Sequence, residues 1–230
     1  MAAAVGLARA LAAATLASVA RWPAVLRAVI FDCDGVLFDS AAANVAYYDA
    51  IRARLGVPPM DADWRAKVQV LAAPAVLEAM FGHDPGMLAA ARQAAHATSY
   101  EPFYVLMEPA AGLAEVLDTL GRRFRLAMAT NRGSSVAGVV ARFGLARWLH
   151  AAVGMLDVPR PKPAPDVIVL ALERLGVPCE QAIYVGDAES DRVAADAAGV
   201  GFVAVGAVPG ARVQVAALRD LPAVLAGADH

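Results

Sequence analysis

Short apolar segments that alternate with helical segments constrain the fold of this chain more than any other feature of its sequence. The first, Ala-Val-Ile-Phe, has the β-branched and aromatic residues typical of a buried strand. Strands are predicted at residues 28–31, 125–129, 149–153, 182–185 and 201–205. Strands that alternate with helices favour a parallel sheet with helices on both faces. We therefore expect an α/β fold built on a doubly wound parallel sheet.

A block of helices without any predicted strand follows the first strand. Within it, apolar spacing and Gly or Pro stops predict helices at 40–55, 63–71, 75–81 and 85–100. Outside it, helices are predicted at 111–120, 134–143, 165–175 and 190–198. We expect a core domain of residues 28–39 and 108–230, a helical cap domain of residues 40–107, and an N-terminal extension of residues 1–27. The hinges of the cap are expected near Asp39 and near Glu108-Pro109.

The charge of the chain points away from large anionic partners. Its 230 residues carry 20 basic and 22 acidic side chains, a formal net charge of -2, which gives no field to attract nucleic acid or a membrane. We expect a small-molecule substrate, no nucleic-acid or membrane partner, and a monomer or homodimer. Two distant cysteines, Cys33 and Cys179, favour a reducing, cytoplasmic location. Residues 1–27 are loosely signal-like, but Arg9 interrupts their apolar run, which favours an extra helix or a tail.

Polar residues stand where the predicted strands end. They are Asp32-Cys33-Asp34-Gly35, Thr130-Asn131-Arg132-Gly133, Pro161-Lys162-Pro163 and Gly186-Asp187-Ala188-Glu189-Ser190-Asp191. In an open parallel sheet, ligands bind beyond the carboxyl ends of the strands. Carboxylates that converge there repel one another unless a cation lies among them, and an all-oxygen site with few protein ligands suits Mg²⁺. A lysine and a threonine hydroxyl beside that ion would bind a phosphoryl group.

The same segments resemble a known family. Asp-Cys-Asp-Gly-Val at 32–36, Thr-Asn at 130–131, Pro-Lys-Pro-Ala-Pro-Asp at 161–166 and Gly-Asp-Ala-Glu-Ser-Asp at 186–191 are similar in order and spacing to the four motifs of the haloacid dehalogenase superfamily. The resemblance covers residues 28 to about 206 and is to the branch with a helical cap after the first motif, which includes phosphoglycolate phosphatase. It implies a Rossmann-like core and a phosphatase that acts on a small phosphorylated metabolite.

The resemblance also implies roles for particular residues. Asp32 would attack the phosphorus atom, and Asp34 would protonate the leaving oxygen and then activate water. The phosphoryl oxygens would be held by Thr130, by the amide region of Asn131 and by Lys162.

A Mg²⁺ site is implied by the same resemblance. The ion would be held by the Asp32 carboxylate, the Asp34 backbone carbonyl and Asp187. Asp191 would lie next to these ligands and orient Lys162 or a water bound to the metal. From the residues alone, simpler interpretations stay open: Asp before Gly is common in turns, and carboxylates are favoured in the first turn of any helix.

Three functions remain as alternatives at this level. Asp34 favours ester hydrolysis over dehalogenation, because the superfamily's dehalogenases lack an acid at that position. A phosphomutase of the β-phosphoglucomutase type is disfavoured, because Asn44 replaces its cap histidine and no Ser-Arg pair occurs in residues 70–82. A phosphate-binding protein without catalysis is the third. The substrate carboxylate or second phosphate could contact the cap cations Arg52, Arg54, Arg65, Lys67 and Arg92.

Overall fold

The computed structural model describes residues 25–69, 71 and 73–227. Most of the predicted N-terminal extension therefore lies outside the described residues. The strands are β1 (Ala28–Phe31), β2 (Phe38–Asp39), β3 (Glu108–Pro109), β4 (Arg125–Ala129), β5 (Leu149–Val153), β6 (Ala182–Gly186), β7 (Gly201–Val205) and β8 (Val213–Val215). The helices are α1 (Ala41–Arg54), α2 (Ala62–Lys67), α3 (Ala73–Phe81), α4 (Pro85–Ala97), α5 (Leu113–Gly121), α6 (Val136–Arg142), α7 (Asp166–Leu175), α8 (Glu189–Ala198) and α9 (Leu221–Leu225).

Six of the strands form one parallel sheet in the order β5-β4-β1-β6-β7-β8. The central strand β1 is fully buried. Its side chains alternate between two hydrophobic clusters, with Val29 and Phe31 in one and Ala28 and Ile30 in the other. Alternate side chains of a strand point to opposite faces, so both faces of the sheet are covered. The predicted doubly wound α/β fold is confirmed.

The helix bounds differ from the predicted ones where backbone conformation, and not apolar spacing, sets the end. The helix predicted at 111–120 starts only at Leu113, because Gly112 has a left-handed backbone with φ of 78°. The helix predicted at 85–100 ends at Ala97, and Thr98 is extended. The helix predicted at 63–71 is the shorter α2. Strands β2, β3 and β8 are two or three residues long, too short for a periodic pattern, and were not predicted.

The helices α1 to α4 pack around a hydrophobic cluster of their own, which includes Tyr48, Ile51, Val76 and Met80. The chain leaves the sheet through β2 and returns through β3, and these two strands pair antiparallel, with Asp39 opposite Glu108. This pair lies where the hinges are expected, while the division into core and cap domains stays a prediction. Within the described part of the chain, no helix is long and apolar enough to cross a membrane.

Candidate active site

A cleft of about 710 Å³ opens between the carboxyl edge of the sheet and helices α1 and α4. Its floor comes from the loops that follow β1, β4 and β6 and from the segment before α7. All seven residues predicted for the site line this cleft: Asp32, Asp34, Thr130, Asn131, Lys162, Asp187 and Asp191. Segments far apart in the sequence thus meet at one place, as the parallel sheet requires.

Asp32 lies at the floor of the cleft, directly after β1. Its backbone N–H donates to the Val185 carbonyl at 2.8 Å, which extends the β1–β6 pairing by one residue. The residue is only 7% exposed. Burial raises the pKa of the Asp32 carboxyl to about 7, although the charge of Lys162 acts to lower it. Its Oδ1 atom lies 2.8 Å from Lys162 Nζ, but at angles outside hydrogen-bond geometry, so this buried oxygen has no hydrogen bond.

Lys162 is the cation at the centre of the site. Its ammonium donates to Asp191 Oδ1 at 2.7 Å and to the Tyr184 hydroxyl at 2.9 Å. The Tyr184 hydroxyl in turn donates to the Ala129 carbonyl at 2.7 Å. Burial alone would lower the pKa of Lys162, but the carboxylates of Asp191 and Asp32 more than offset that effect, and the pKa lies well above its usual value. The side chain is therefore a charged, fixed group.

Asp191 joins this lysine to the loop after β6. Its Oδ2 atom accepts from the backbone N–H groups of Asp187 at 3.0 Å and Ala188 at 3.1 Å, at the start of α8. The residue is 1% exposed. Because one oxygen is committed to Lys162 and the other to the backbone, Asp191 serves to orient the lysine and the Asp187 loop.

Asp187 faces the open cleft and is accessible to solvent. The surrounding protein raises the pKa of its carboxyl to about 6, mainly through desolvation and then through the charge of Asp191. Gly35, with φ of 73°, lies directly against it, and a Cβ atom there would overlap the Asp187 carboxylate. The turn after Asp34 therefore requires glycine for its left-handed backbone and for the close approach of Asp187.

The arrangement of carboxylates fits a divalent cation. Carboxylate oxygens of Asp32, Asp187 and Asp191 lie within 4.8 Å of one another. When ionised, these three groups carry three negative charges against the single positive charge of Lys162. Among the described residues, the buried Asp32 Oδ1 atom has only the ion contact with Lys162, and no hydrogen bond of good geometry. A hard cation with oxygen ligands, such as Mg²⁺, would satisfy both the charge and this oxygen.

The predicted phosphate-binding residues lie beside these carboxylates. Thr130 is 1% exposed, and its hydroxyl accepts from the Arg132 backbone N–H at 3.2 Å. The Asn131 side chain pairs with the backbone of Lys162, accepting from its N–H at 2.8 Å and donating to its carbonyl at 3.0 Å. The Asn131 side-chain amide thus fixes the lysine segment.

Arg132 is a residue whose role the sequence analysis missed. Its guanidinium is buried and forms a two-pronged ion pair with Asp34, from Nε to Oδ2 at 2.9 Å and from Nη2 to Oδ1 at 2.6 Å. Burial alone would lower the pKa of Arg132, but the Asp34 carboxylate reverses this and raises it. The only signal in the sequence is a basic residue directly after Thr130-Asn131. Ser40 also donates to Asp34 from its hydroxyl.

Of the cap cations predicted as substrate contacts, Arg92 alone lines the cleft within the described residues. It forms an exposed ion pair with Glu78 at 2.9 Å. Arg52 instead donates to the Pro58 carbonyl at 2.6 Å, and Arg65 to the Met60 carbonyl at 3.1 Å. The cap side of the cleft therefore offers one guanidinium to a substrate.

Known proteins resemble this chain over most of its length. Residues 29–205 match the sequence model of the family described as haloacid dehalogenase-like hydrolase. A phosphoglycolate phosphatase of Xanthomonas campestris is 30% identical over 184 residues, which cover 77% of this chain and 82% of that protein. An N-acetylmuramic acid 6-phosphate phosphatase of Pseudomonas aeruginosa is 31% identical over 166 residues, covering 70% and 74%. The crystal structure of a subfamily IA hydrolase of that superfamily, from Geobacter sulfurreducens, is 36% identical with a TM-score of 0.70, covering 85% and 94%.

Proposed function

Because the chain belongs to the haloacid dehalogenase-like hydrolase family, we propose that it is a Mg²⁺-dependent phosphatase that hydrolyses a small phosphomonoester through an aspartyl phosphate. One observation carries the proposal: the Asp32 carboxylate lies at the floor of the cleft, with an oxygen 2.8 Å from Lys162 Nζ and within 4.8 Å of carboxylate oxygens of Asp187 and Asp191. An oxygen of this kind is available both to a metal ion and to an electrophilic phosphorus atom.

The residues present support a two-step reaction. In the first step, Asp34 enters protonated. An Asp32 oxygen bonds to phosphorus while the bond from phosphorus to the ester oxygen breaks, and Asp34 gives that oxygen its proton and is left as the ionised carboxylate that pairs with Arg132. In the second step, water attacks the phosphorus atom of the aspartyl phosphate. Asp34 takes a proton from this water, phosphate leaves, and the Asp32 carboxylate is restored. Lys162 and Thr130 bind the phosphoryl oxygens throughout and offset their charge.

Mg²⁺ would be held by the Asp32 and Asp187 carboxylates and by the Asp34 backbone carbonyl, and it would supply positive charge to the phosphoryl oxygens. Asp191 supports this site by holding Lys162 and the backbone of Asp187. The Asp34 side chain is committed to Arg132. This commitment favours its backbone, and not its carboxylate, as the ligand.

The substrate that we propose is a small phosphomonoester with a carboxylate, of which phosphoglycolate is the leading candidate. The two relatives above are named for phosphoglycolate and for N-acetylmuramic acid 6-phosphate, and both compounds contain a carboxylic acid. Arg92 lines the cap side of the cleft, and its exposed ion pair with Glu78 uses only one of its guanidinium N–H donors, so others can pair with such a group. A phosphomutase is less well supported, because the Asn44 amide already bonds to Ser40 and to Tyr100.

The proposal is tested by measuring hydrolysis of p-nitrophenyl phosphate and of phosphoglycolate with Mg²⁺ and with EDTA. We expect turnover with Mg²⁺ only, and its loss in the Asp32→Asn variant, which also cannot form an acid-stable phosphoryl adduct. Asp196→Asn is the matched control, since Asp196 is an exposed aspartate on α8 that pairs only with Arg192 among the described residues. Binding of phosphate without any turnover would instead identify a phosphate-binding protein of the same fold.

A further inference from the structure

Five polar side chains form a closed ring of hydrogen bonds across the boundary between core and cap, which we call the Asp34 ring. Asp34 accepts from Arg132, and Arg132 Nη2 donates to the Tyr100 hydroxyl at 3.3 Å. That hydroxyl donates to Asn44 Oδ1 at 2.7 Å, and Asn44 Nδ2 donates to the Ser40 hydroxyl at 3.3 Å. Ser40 completes the ring by donating to Asp34.

Arg132 has no freedom to turn within this ring. Its side chain is 5% exposed, and each of its three nitrogen atoms has a partner, with Nη1 donating to the Ser135 hydroxyl at 3.3 Å. The guanidinium also lies over the Tyr100 ring, 4.7 Å from its centroid. A planar guanidinium that binds a carboxylate through two parallel hydrogen bonds fixes the plane of that carboxylate. The orientation of Asp34 is therefore set by Arg132.

Tyr100 is placed by the segment that returns from the cap. A short 3₁₀ helix, Glu101–Leu106, follows it, and the hydroxyl of Tyr104 in that helix donates to the Ser135 carbonyl at 3.1 Å. Ser40 and Asn44 belong to the outgoing crossing, so the ring touches both places where the chain passes between core and cap. A shift of the cap would separate Tyr100 from Arg132.

We propose that Arg132 and Tyr100 are positioning residues for Asp34: Arg132 aims the carboxylate at the leaving-group oxygen, and Tyr100 holds Arg132 in place when the cap is closed. The inference rests on the proposed function, because it requires Asp34 to transfer the proton. Neither residue touches the reacting phosphorus atom in this scheme, and both act through Asp34.

Such a role has a specific kinetic signature. The proton from Asp34 matters most for a strongly basic leaving group and little for a weakly basic one. Phenyl phosphate and p-nitrophenyl phosphate have similar shapes, but phenolate is the stronger base and gains more from protonation. The ratio kcat/KM reports the steps up to the first irreversible phosphoryl transfer, so later hydrolysis of the aspartyl phosphate does not affect it.

The experiment compares kcat/KM for these two esters in wild type, Tyr100→Phe, Arg132→Lys and Asp34→Asn, all with Mg²⁺. In Asp34→Asn, kcat/KM should fall by a factor of about 10² to 10⁴ with phenyl phosphate and by far less with p-nitrophenyl phosphate. Tyr100→Phe keeps the aromatic ring against the guanidinium but removes the hydroxyl. Its kcat/KM should fall by about 3- to 10-fold with phenyl phosphate only. Arg132→Lys keeps the charge but not the two-pronged geometry, and should lose about tenfold or more with the same selectivity.

Tyr104→Phe is the matched control, because it removes a nearby hydroxyl that donates to the Ser135 carbonyl and forms no described hydrogen bond with Arg132 or Asp34. It should leave the ratio of the kcat/KM values for the two esters unchanged. Equal losses for both esters in Tyr100→Phe, or an equal change in Tyr104→Phe, would overturn the positioning role, as would full activity of Arg132→Lys. Absence of Mg²⁺-dependent turnover in wild type would contradict the proposed function instead. Unfolding midpoints identify any variant that fails to fold. If Arg132→Lys fails to fold, the result with Tyr100→Phe decides between the outcomes.

Discussion

Replacing Lys162 by methionine should destabilise the protein strongly, because it leaves two buried carboxylates without their cation. The Lys162 side chain is 2% exposed, and it lies 2.7 Å from Asp191, which is 1% exposed, and 2.8 Å from Asp32. Methionine has a similar length, so the main change is the loss of the charge and of its hydrogen bonds. Removal of one partner of a buried ion pair costs about 3–5 kcal/mol.

For a chain of this size, each kcal/mol lowers the melting temperature by about 2–4 °C, so Lys162→Met should melt about 6–20 °C below wild type in EDTA. The loss should be smaller with Mg²⁺, which gives the carboxylates another counter-charge. Differential scanning calorimetry with and without Mg²⁺ measures both effects. Lys67→Met is the control, since Lys67 is exposed on α2.

A double-mutant cycle with Asp191→Asn isolates the electrostatic part of this cost. Asparagine keeps an oxygen that can accept from the backbone N–H groups of the Asp187 loop but carries no charge. The double variant should be more stable than the sum of the two single losses predicts, with a coupling above about 1 kcal/mol. Additivity within about 0.5 kcal/mol, or an unchanged melting temperature in Lys162→Met, would refute the reasoning.

Three further changes test other parts of the site. Gly35→Ala and Gly56→Ala both place a side chain on a left-handed backbone, but only the first would overlap Asp187; each should lose about 1–2 kcal/mol of stability, and only Gly35→Ala should also lose Mg²⁺ affinity by calorimetry. The pKa of Asp32 is raised from 3.8 to about 7, so its contribution to stability is complete below pH 4 and is lost as the pH rises through 7. Urea unfolding in EDTA should therefore show a lower free energy at pH 8 than at pH 5, with a smaller difference in Asp32→Asn; equal differences would contradict this. Arg92→Gln should raise KM for phosphoglycolate and leave KM for p-nitrophenyl phosphate unchanged, and an equal change for both would remove the carboxylate contact.

The sequence predicted most of the fold because the strands of the sheet are short, apolar and followed by polar turns. Strand β1 matches its prediction residue for residue, and the later strands agree to within one residue. Strands β2, β3 and β8 carry no comparable signal, since two or three residues have no measurable period. The ends of the helices differ from the predicted ones because backbone conformation, such as the left-handed Gly112, sets them, and apolar spacing does not encode that conformation.

The carboxylates at the sheet edge and Lys162 could be predicted because each lies in a short motif at a strand end. The Asp34 ring could not be predicted, because Arg132 and Asp34 are 98 residues apart in the sequence, and Tyr100 and Asn44 are 56 residues apart. Their meeting depends on how the cap returns to the core. For the cap cations the sequence left open which of them face the cleft, because charge is visible in the sequence but the direction of a side chain depends on how its helix packs.

The antiparallel pair of β2 and β3 has a consequence for how this enzyme family can change substrates. Adjacent strands lie about 5 Å apart, so the two ends of the cap insertion are close enough to be joined by a tight turn. The predicted cap would thus be a separable unit, whose length or sequence could change without moving a strand of the sheet. A chimera that keeps residues 28–39 and 108–227 and receives another cap would retain the chemistry and acquire a different selectivity. The Asp34 ring sets the condition for such an exchange, since a new cap must bring its own partner for Arg132.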